Sequence, residues 1–298
     1  MSRLVDMLTR GKGEIADAIR PLVEAPAEPH LRKEAAQVTP EATPVRTSPL
    51  AAIRTLSLRL PAPSPLLPFE KSQRRASEQY RILRTRIGQH PKQPRLIVVS
   101  SPAPGDGKSV SAINTAGALS LKSEGQVLLL DADLRKSAIH TQLGLPESPG
   151  LADILRGTCT LEEALVNVQE FPNLYALSAG TPTDNPVELL DSAVWRDLCA
   201  RVRSLFRYVV LDSPPVGAVA DYDLIQAVCD GVILVLRPDH TNRVLWERSL
   251  EAVPKAKFLG VLLNCVPDWS PATRAGADYY YYSSEKVYAA NNPRGAAG

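Results

Sequence analysis

Apolar residues are spread unevenly along the 298-residue chain. After residue 70 they gather in short runs, RLIVVS, QVLLLD, NLYALS, YVVLDS, VILVLR and FLGVLLN, each rich in Val, Leu or Ile. A half-wet strand would alternate apolar with polar residues; an unbroken run is covered on both faces, as the central strands of a parallel sheet are. Between the runs lie SVSAINTAGALSLK, GLADILRG, TLEEALVNV, PVELLDSAVWRDLCARVRSL, DYDLIQAVC and NRVLWERSLEAV, whose apolar positions recur at helical spacing. Strand alternating with helix predicts an α/β fold, a doubly wound and mostly parallel sheet, over about residues 71–278.

The first 70 residues break this pattern. Ten prolines fall between Pro21 and Pro68, among Ala, Glu, Thr and Ser, so residues 24–70 predict an extended linker with no core of its own. Ahead of it, Leu4, Leu8, Ile15, Ile19 and Leu22 recur at helical spacing despite Gly11 and Gly13. Residues 1–23 therefore predict a short amphipathic helix, packed on its own domain or docked on a partner or membrane surface. At the far end, residues 279–298 open with Tyr279, Tyr280, Tyr281 and Tyr282 and also hold Tyr288. Four consecutive tyrosines would point to both faces of a strand, so the local pattern suits either a sticky edge strand or a loose polar tail.

Composition narrows the class. A hydrophobic content of 44% with 22% charged residues suits a soluble chain with a substantial core, and a net charge of +2 gives no reason to expect nucleic acid as a partner. Cys159, Cys199, Cys229 and Cys265 form no CxxC pair and have no accompanying histidine ligands. That argues against a structural metal or a disulfide framework and for reduced thiols. His30, His90, His140 and His240 are scattered and read as structural or exposed. No apolar run reaches the roughly 18 residues of a membrane span, and MSRLVDMLTRGKGE lacks the apolar stretch of a signal peptide, so the expected place is the cytoplasm.

Three strand ends carry candidate chemistry. SSPAPGDGKSV follows the RLIVVS strand and precedes a helical pattern. Gly105 and Gly107 permit a tight turn in which the backbone N–H groups from Gly105 through Asp106 to Val110 surround phosphate oxygens. Lys108 would reach the β- and γ-phosphates and Ser109 would hold Mg²⁺. The general GxxxxGK[ST] spacing would put its first glycine where Pro102 stands, so the match is partial. In VLLLDADLR, Asp131 and Asp133 end a second strand, where they either coordinate Mg²⁺ through water and accept a proton or merely solvate a strand end. In YVVLDSPP, Asp212 ends a third.

Together these stretches resemble one family, the bacterial tyrosine kinases of capsule and exopolysaccharide assembly. Their Walker A, Walker A′ and Walker B motifs are similar to SSPAPGDGKS, LLLDADLR and VVLDSPP, and the likeness extends to GLADILRG, NPVELL and GVLLN. The resemblance implies a P-loop NTPase fold using ATP and Mg²⁺, with Asp131, Asp212 and Ser109 about the metal and Asn264 against the adenine. Asn264 by itself could equally cap a strand end. For proton acceptance Asp131 is the first choice and Asp133 the second.

Two further segments gain meaning from the resemblance. Glu78, Arg81 and Arg84 form an ExxRxxR pattern along one face of a helix expected over about residues 73–88, which alone would suit a solvated, self-paired surface. In the family this element joins subunits into a ring, so the chain is expected to be a homo-oligomer. Tyr279, Tyr280, Tyr281, Tyr282 and Tyr288 become the phosphoacceptors. The resemblance also implies a membrane-anchored activator, a polysaccharide co-polymerase on a separate chain, and a cognate tyrosine phosphatase. The kinase would then sit at the inner face of the plasma membrane through its partner. Two rivals share the motifs: a partitioning or division-site ATPase, which would carry Lys where Ala103 stands, and a catalytically silent nucleotide-binding scaffold.

Overall fold

The computed structural model describes residues 50, 53–60, 74–122 and 125–266. The tyrosine tail, the expected N-terminal helix and most of the expected linker lie outside the described residues.

Eight strands form one sheet: β1 (Thr55–Leu56), β2 (Leu96–Ser100), β3 (Val127–Asp131), β4 (Val166–Val168), β5 (Leu174–Leu177), β6 (Tyr208–Asp212), β7 (Gly231–Leu236) and β8 (Phe258–Leu263). Their order is β1-β4-β5-β3-β6-β2-β7-β8, and every pair is parallel except β4 with β5. The described helices are α1 (Arg74–Gly88), α2 (Lys108–Ser120), α3 (Ile139–Leu143), α4 (Leu151–Leu155), α5 (Leu161–Ala164), α6 (Pro186–Leu190), α7 (Ala193–Leu205), α8 (Ala220–Val228) and α9 (Arg243–Ala252).

The unbroken apolar runs are explained by two cores, one on each face. Leu96, Val98, Leu128, Leu130, Val209 and Leu211 join a cluster with Trp195, Phe206 and Tyr222. Their strand neighbours Ile97, Val99, Val127, Leu129 and Val210 join the other, with Ile113, Ala116 and Leu119 of α2 and Ile139 and Leu143 of α3. Successive side chains point to opposite faces, so a strand covered on both sides needs apolar residues at every position. Truncating one of these buried leucines to Ala costs about 2–5 kcal/mol.

Three expectations need correction. The segment 24–70 is not all linker: Leu50 and Ile53 are buried in the first core, and β1 pairs in parallel with β4. TLEEALVNV is not all helix: α5 covers Leu161–Ala164, capped by Thr160 and Glu163, and Val166–Val168 is a strand. The alternation of buried Val166 and Val168 with partly exposed Asn167 is the period of a strand, too short to stand out beside a helical pattern. The long stretch after Asn185 is likewise two helices, because the Ser192 side chain accepts from Trp195 N and starts α7 afresh.

The strand order positions the site. The chain steps from β2 to β3 on one side and later from β6 to β7 on the other, so β2, β3 and β6 meet at the point where the winding reverses. Ligands of open α/β sheets bind in the crevice beyond the carboxyl ends of such strands.

Candidate active site

The glycine turn stands at the end of β2. Gly105 and Gly107 have φ of 89° and 95°, the left-handed region that side chains disfavour. Gly107 is the N-cap of α2, and its carbonyl accepts from Ser111 N at 3.0 Å. A Cβ on Gly107 would lie 2.0 Å from Asn264 Nδ2, so glycine is required for space as well as for conformation. Lys108 and Ser109 therefore open α2, Val110 packs against the core behind them, and the free N–H groups of the first helical turn face the crevice.

Asp106 organises this turn from inside. It is fully buried; its Oδ2 accepts from Ala103 N at 3.0 Å, and its Oδ1 accepts from Thr241 Oγ1 at 2.8 Å. The same Oδ1 lies 2.9 Å from His240 Nδ1. Asn264 Nδ2 donates to the Asp106 carbonyl at 2.9 Å. His240, read from the sequence as merely structural or exposed, thus belongs to the site. Nothing in a sequence separation of 134 residues signals its contact with Asp106. Asn264, expected against adenine, here spends its amide on the loop.

The carboxylates face this turn. Asp131 and Asp212 are register partners at the ends of β3 and β6, both fully buried. Asp131 is held by backbone: Oδ1 accepts from Asp133 N at 3.2 Å, and Oδ2 from Ala138 N at 3.0 Å and Ile139 N at 3.1 Å. Asp133 accepts from Lys136 N at 3.0 Å on one oxygen and from Lys108 Nζ at 2.9 Å on the other. Lys108 Nζ also lies 3.8 Å from Asp212 Oδ1 and 3.4 Å from Ser109 Oγ. Neither oxygen of Asp212 has a hydrogen-bond partner.

Electrostatics follow from that geometry. Three carboxylates share one ammonium. Burial, and then each other's charge for Asp131, push the pKa values of Asp131 and Asp212 upward, while Lys108 opposes the shift at Asp212. Burial works against the Lys108 cation, yet Asp212 and Asp133 outweigh it and raise its pKa. A divalent cation suits this set, because a buried carboxylate with two unpartnered oxygens sits beside a hydroxyl at a strand end. Among the described residues no group of three or more His, Cys, Asp or Glu side chains is arranged to hold a metal alone.

Beside the carboxylates, a cavity of about 310 Å³ is lined by Arg135, Lys136, His140 and Thr181 among others. Arg135 is fixed there by two bonds to buried Asp221, at 2.8 and 3.0 Å. On α1, Glu78 and Arg81 are exposed and paired with each other at 2.9 Å. Arg84 is turned inward, with one nitrogen 3.4 Å from the Ala118 carbonyl. Tyr279, Tyr280, Tyr281, Tyr282 and Tyr288 lie outside the described residues.

Comparison with known proteins points one way. Tyrosine-protein kinase YwqD of Bacillus subtilis is 35% identical over 192 residues, spanning 63% of this chain and 80% of the relative. Tyrosine-protein kinase CpsD of Streptococcus agalactiae is 31% identical over 197 residues, 65% of this chain and 85% of the relative. Among solved structures, the chimerical protein CapA2B2 superposes with a TM-score of 0.65 at 29% identity, covering 73% of this chain and 96% of that one. No family model matches the chain.

Proposed function

The chain belongs to the bacterial tyrosine-protein kinases, and we propose that it uses ATP to phosphorylate its own C-terminal tyrosines, Tyr279 to Tyr282 and Tyr288, thereby regulating exopolysaccharide or capsule production. The observation that carries this reading is the position of Lys108, at the start of the helix behind the glycine turn and shared between Asp133 and Asp212.

The triphosphate would lie along Gly105–Val110, with backbone N–H groups on its oxygens and the α2 N-terminus favouring its charge. Lys108 would exchange Asp133 for the β- and γ-phosphates, a stronger partner. That exchange uncovers Asp133. A tyrosine hydroxyl, neutral below its usual pKa of about 10, then attacks the γ-phosphorus while its proton passes to a carboxylate and ADP departs. The arrangement favours Asp133 over Asp131 for this task, since Asp131 is already held by three backbone N–H groups. Most of the acceleration would come from Lys108 and from positioning, because phosphoryl transfer is largely dissociative. Ser109 and Asp212, with Asp131 through water, would hold magnesium, whose bound charge neutralises the phosphates between three carboxylates.

The acceptor segment comes from the chain's own tail. Fifteen positions separate Asn264 from Tyr279, and extended chain spans at most about 3.6 Å per residue, so reach alone permits transfer within the chain or to a neighbour. The ring reading favours the neighbour. Exposed Glu78 and Arg81 are available to a second copy, whereas Arg84 serves packing inside the subunit. By family resemblance a membrane-anchored activator on a separate chain would hold the kinase at the membrane, and a tyrosine phosphatase would reset the tail. Among the described residues no helix is long and apolar enough to cross a membrane.

The test is an anti-phosphotyrosine assay of the purified protein with ATP and magnesium. Wild type should become labelled; Lys108→Met and a variant with Phe at all five tail tyrosines should not. Phosphate release without labelling of wild type would instead support the ATPase switch and overturn the kinase reading.

A further inference from the structure

We propose that His240, with Thr241, is a positioning residue of the nucleotide site, a latch from the loop after β7 that holds the phosphate-binding turn in its working shape through Asp106. The inference rests on the nucleotide-binding part of the kinase reading.

Asp106 is the acidic residue of the turn, and its side chain faces inward. Its carboxylate is fully buried and, among the described residues, pairs with no lysine or arginine; its partners are Ala103 N within the turn, and His240 and Thr241 from outside. The bond to Ala103 N closes a three-residue span and sets the curvature. The bonds at Oδ1 set where that curved unit sits relative to the sheet. Thr241 is itself fixed, because its Oγ1 accepts from Arg237 N at 3.0 Å. His240 is different: its side chain is 43% exposed while Asp106 is 0% exposed. Its ring also covers Gly105, where an added Cβ would meet Cε1 at 3.3 Å.

The consequence is mechanical. The backbone N–H groups that would grip phosphate belong to the same residues that Asp106 shapes. Removing the imidazole leaves Oδ1 with a single donor and uncovers Gly105, so the turn samples other conformations and nucleotide must reorder it on binding. Chemistry after binding is untouched, since His240 reaches none of Lys108, Asp131, Asp133 or Asp212. The expected signature is therefore weaker nucleotide binding with preserved turnover. Asn should replace His well, because its amide N–H can occupy the place of Nδ1.

Two measurements decide. Hydrogen exchange of residues 102–110 in the nucleotide-free protein should quicken in His240→Ala and return toward wild type in His240→Asn. The KM for ATP in tail phosphorylation should rise about tenfold in His240→Ala, with kcat within about twofold, and fall back in His240→Asn. Thr241→Val should act in the same direction. Unchanged exchange in both His240→Ala and Thr241→Val overturns the latch whatever the protein catalyses. So does a fall in kcat at constant KM, or failure of Asn to rescue. If wild type neither binds ATP nor labels its tail, the kinase reading fails while the exchange result still judges the latch.

Discussion

The two halves of the site are built on opposite principles. On the loop side both carboxylate oxygens and the carbonyl of Asp106 have partners, and residues from three separate segments converge on it. On the carboxylate side Asp212 is buried with neither oxygen in a close hydrogen bond, beside Asp131 and a shared lysine 3.8 Å away. The first half is finished before any ligand arrives. The second is under electrostatic strain that a bound cation and phosphates would relieve. Binding is prepared by satisfied hydrogen bonds, whereas reactivity is stored as unsatisfied charge.

Lys108 joins the halves, so its removal should have the largest effect. Lys108→Met takes away the cation shared by Asp133 and Asp212 and the charge that the glycine turn presents to the phosphates; tail phosphorylation should fall by about a thousandfold or more. Phosphotyrosine appearing at near-normal rate in that variant would show that the halves are not coupled through it.

Gly107→Ala should break the finished half. A left-handed alanine costs about 1–2 kcal/mol, and displacement of Asn264 adds to it, so a loss on the order of 2–3 kcal/mol and of calorimetric ATP binding is expected. A melting temperature equal to wild type would mean that the turn tolerates another conformation.

How much of this was legible in the sequence depended on distance along the chain. The strands that end in Asp131 and Asp212 announce themselves by unbroken apolar runs, and Gly105, Gly107 and Lys108 by a local motif. β1 and β4 span two and three residues, too few for a period to stand out. The grip of His240 on Asp106 and of Arg135 on Asp221 joins residues 134 and 86 positions apart, each an ordinary polar side chain in its own neighbourhood. Local pattern reveals the backbone of the site; partnership between distant side chains is created only by the sheet order.

The sign of the next effect tests the contrast itself. Asp212→Asn should stabilise the nucleotide-free protein by on the order of 1–2 kcal/mol, because it removes a fully buried charge whose cation stands off at 3.8 Å, while Lys108 keeps Asp133 at 2.9 Å. The pH dependence follows from the raised pKa of Asp212. A carboxyl that holds its proton more tightly when folded costs nothing below its unfolded value of about 4, and destabilises increasingly as pH rises through the folded value. Wild type and variant should therefore melt alike near pH 3 and diverge toward neutrality, with the variant higher. Added magnesium and ATP should raise the melting temperature of wild type alone. A variant less stable than wild type at pH 7 would mean that Asp212 is not strained.

Asn264→Ala removes the weakest tie of the finished half, and it should act with the opposite sign. One hydrogen bond to a partly buried backbone carbonyl is lost, so stability should drop by about 0.5–1.5 kcal/mol. The same variant separates the two roles open to this side chain. If Asn264 only braces the turn, affinity for ATP and for inorganic tripolyphosphate should weaken by the same factor, since both ligands use the turn alone. If it also turns to the adenine, ATP should lose several-fold more than tripolyphosphate, because only ATP carries a base. Equal stability and equal affinities in wild type and variant would remove Asn264 from the brace and weaken the contrast between the two halves at its least secure point.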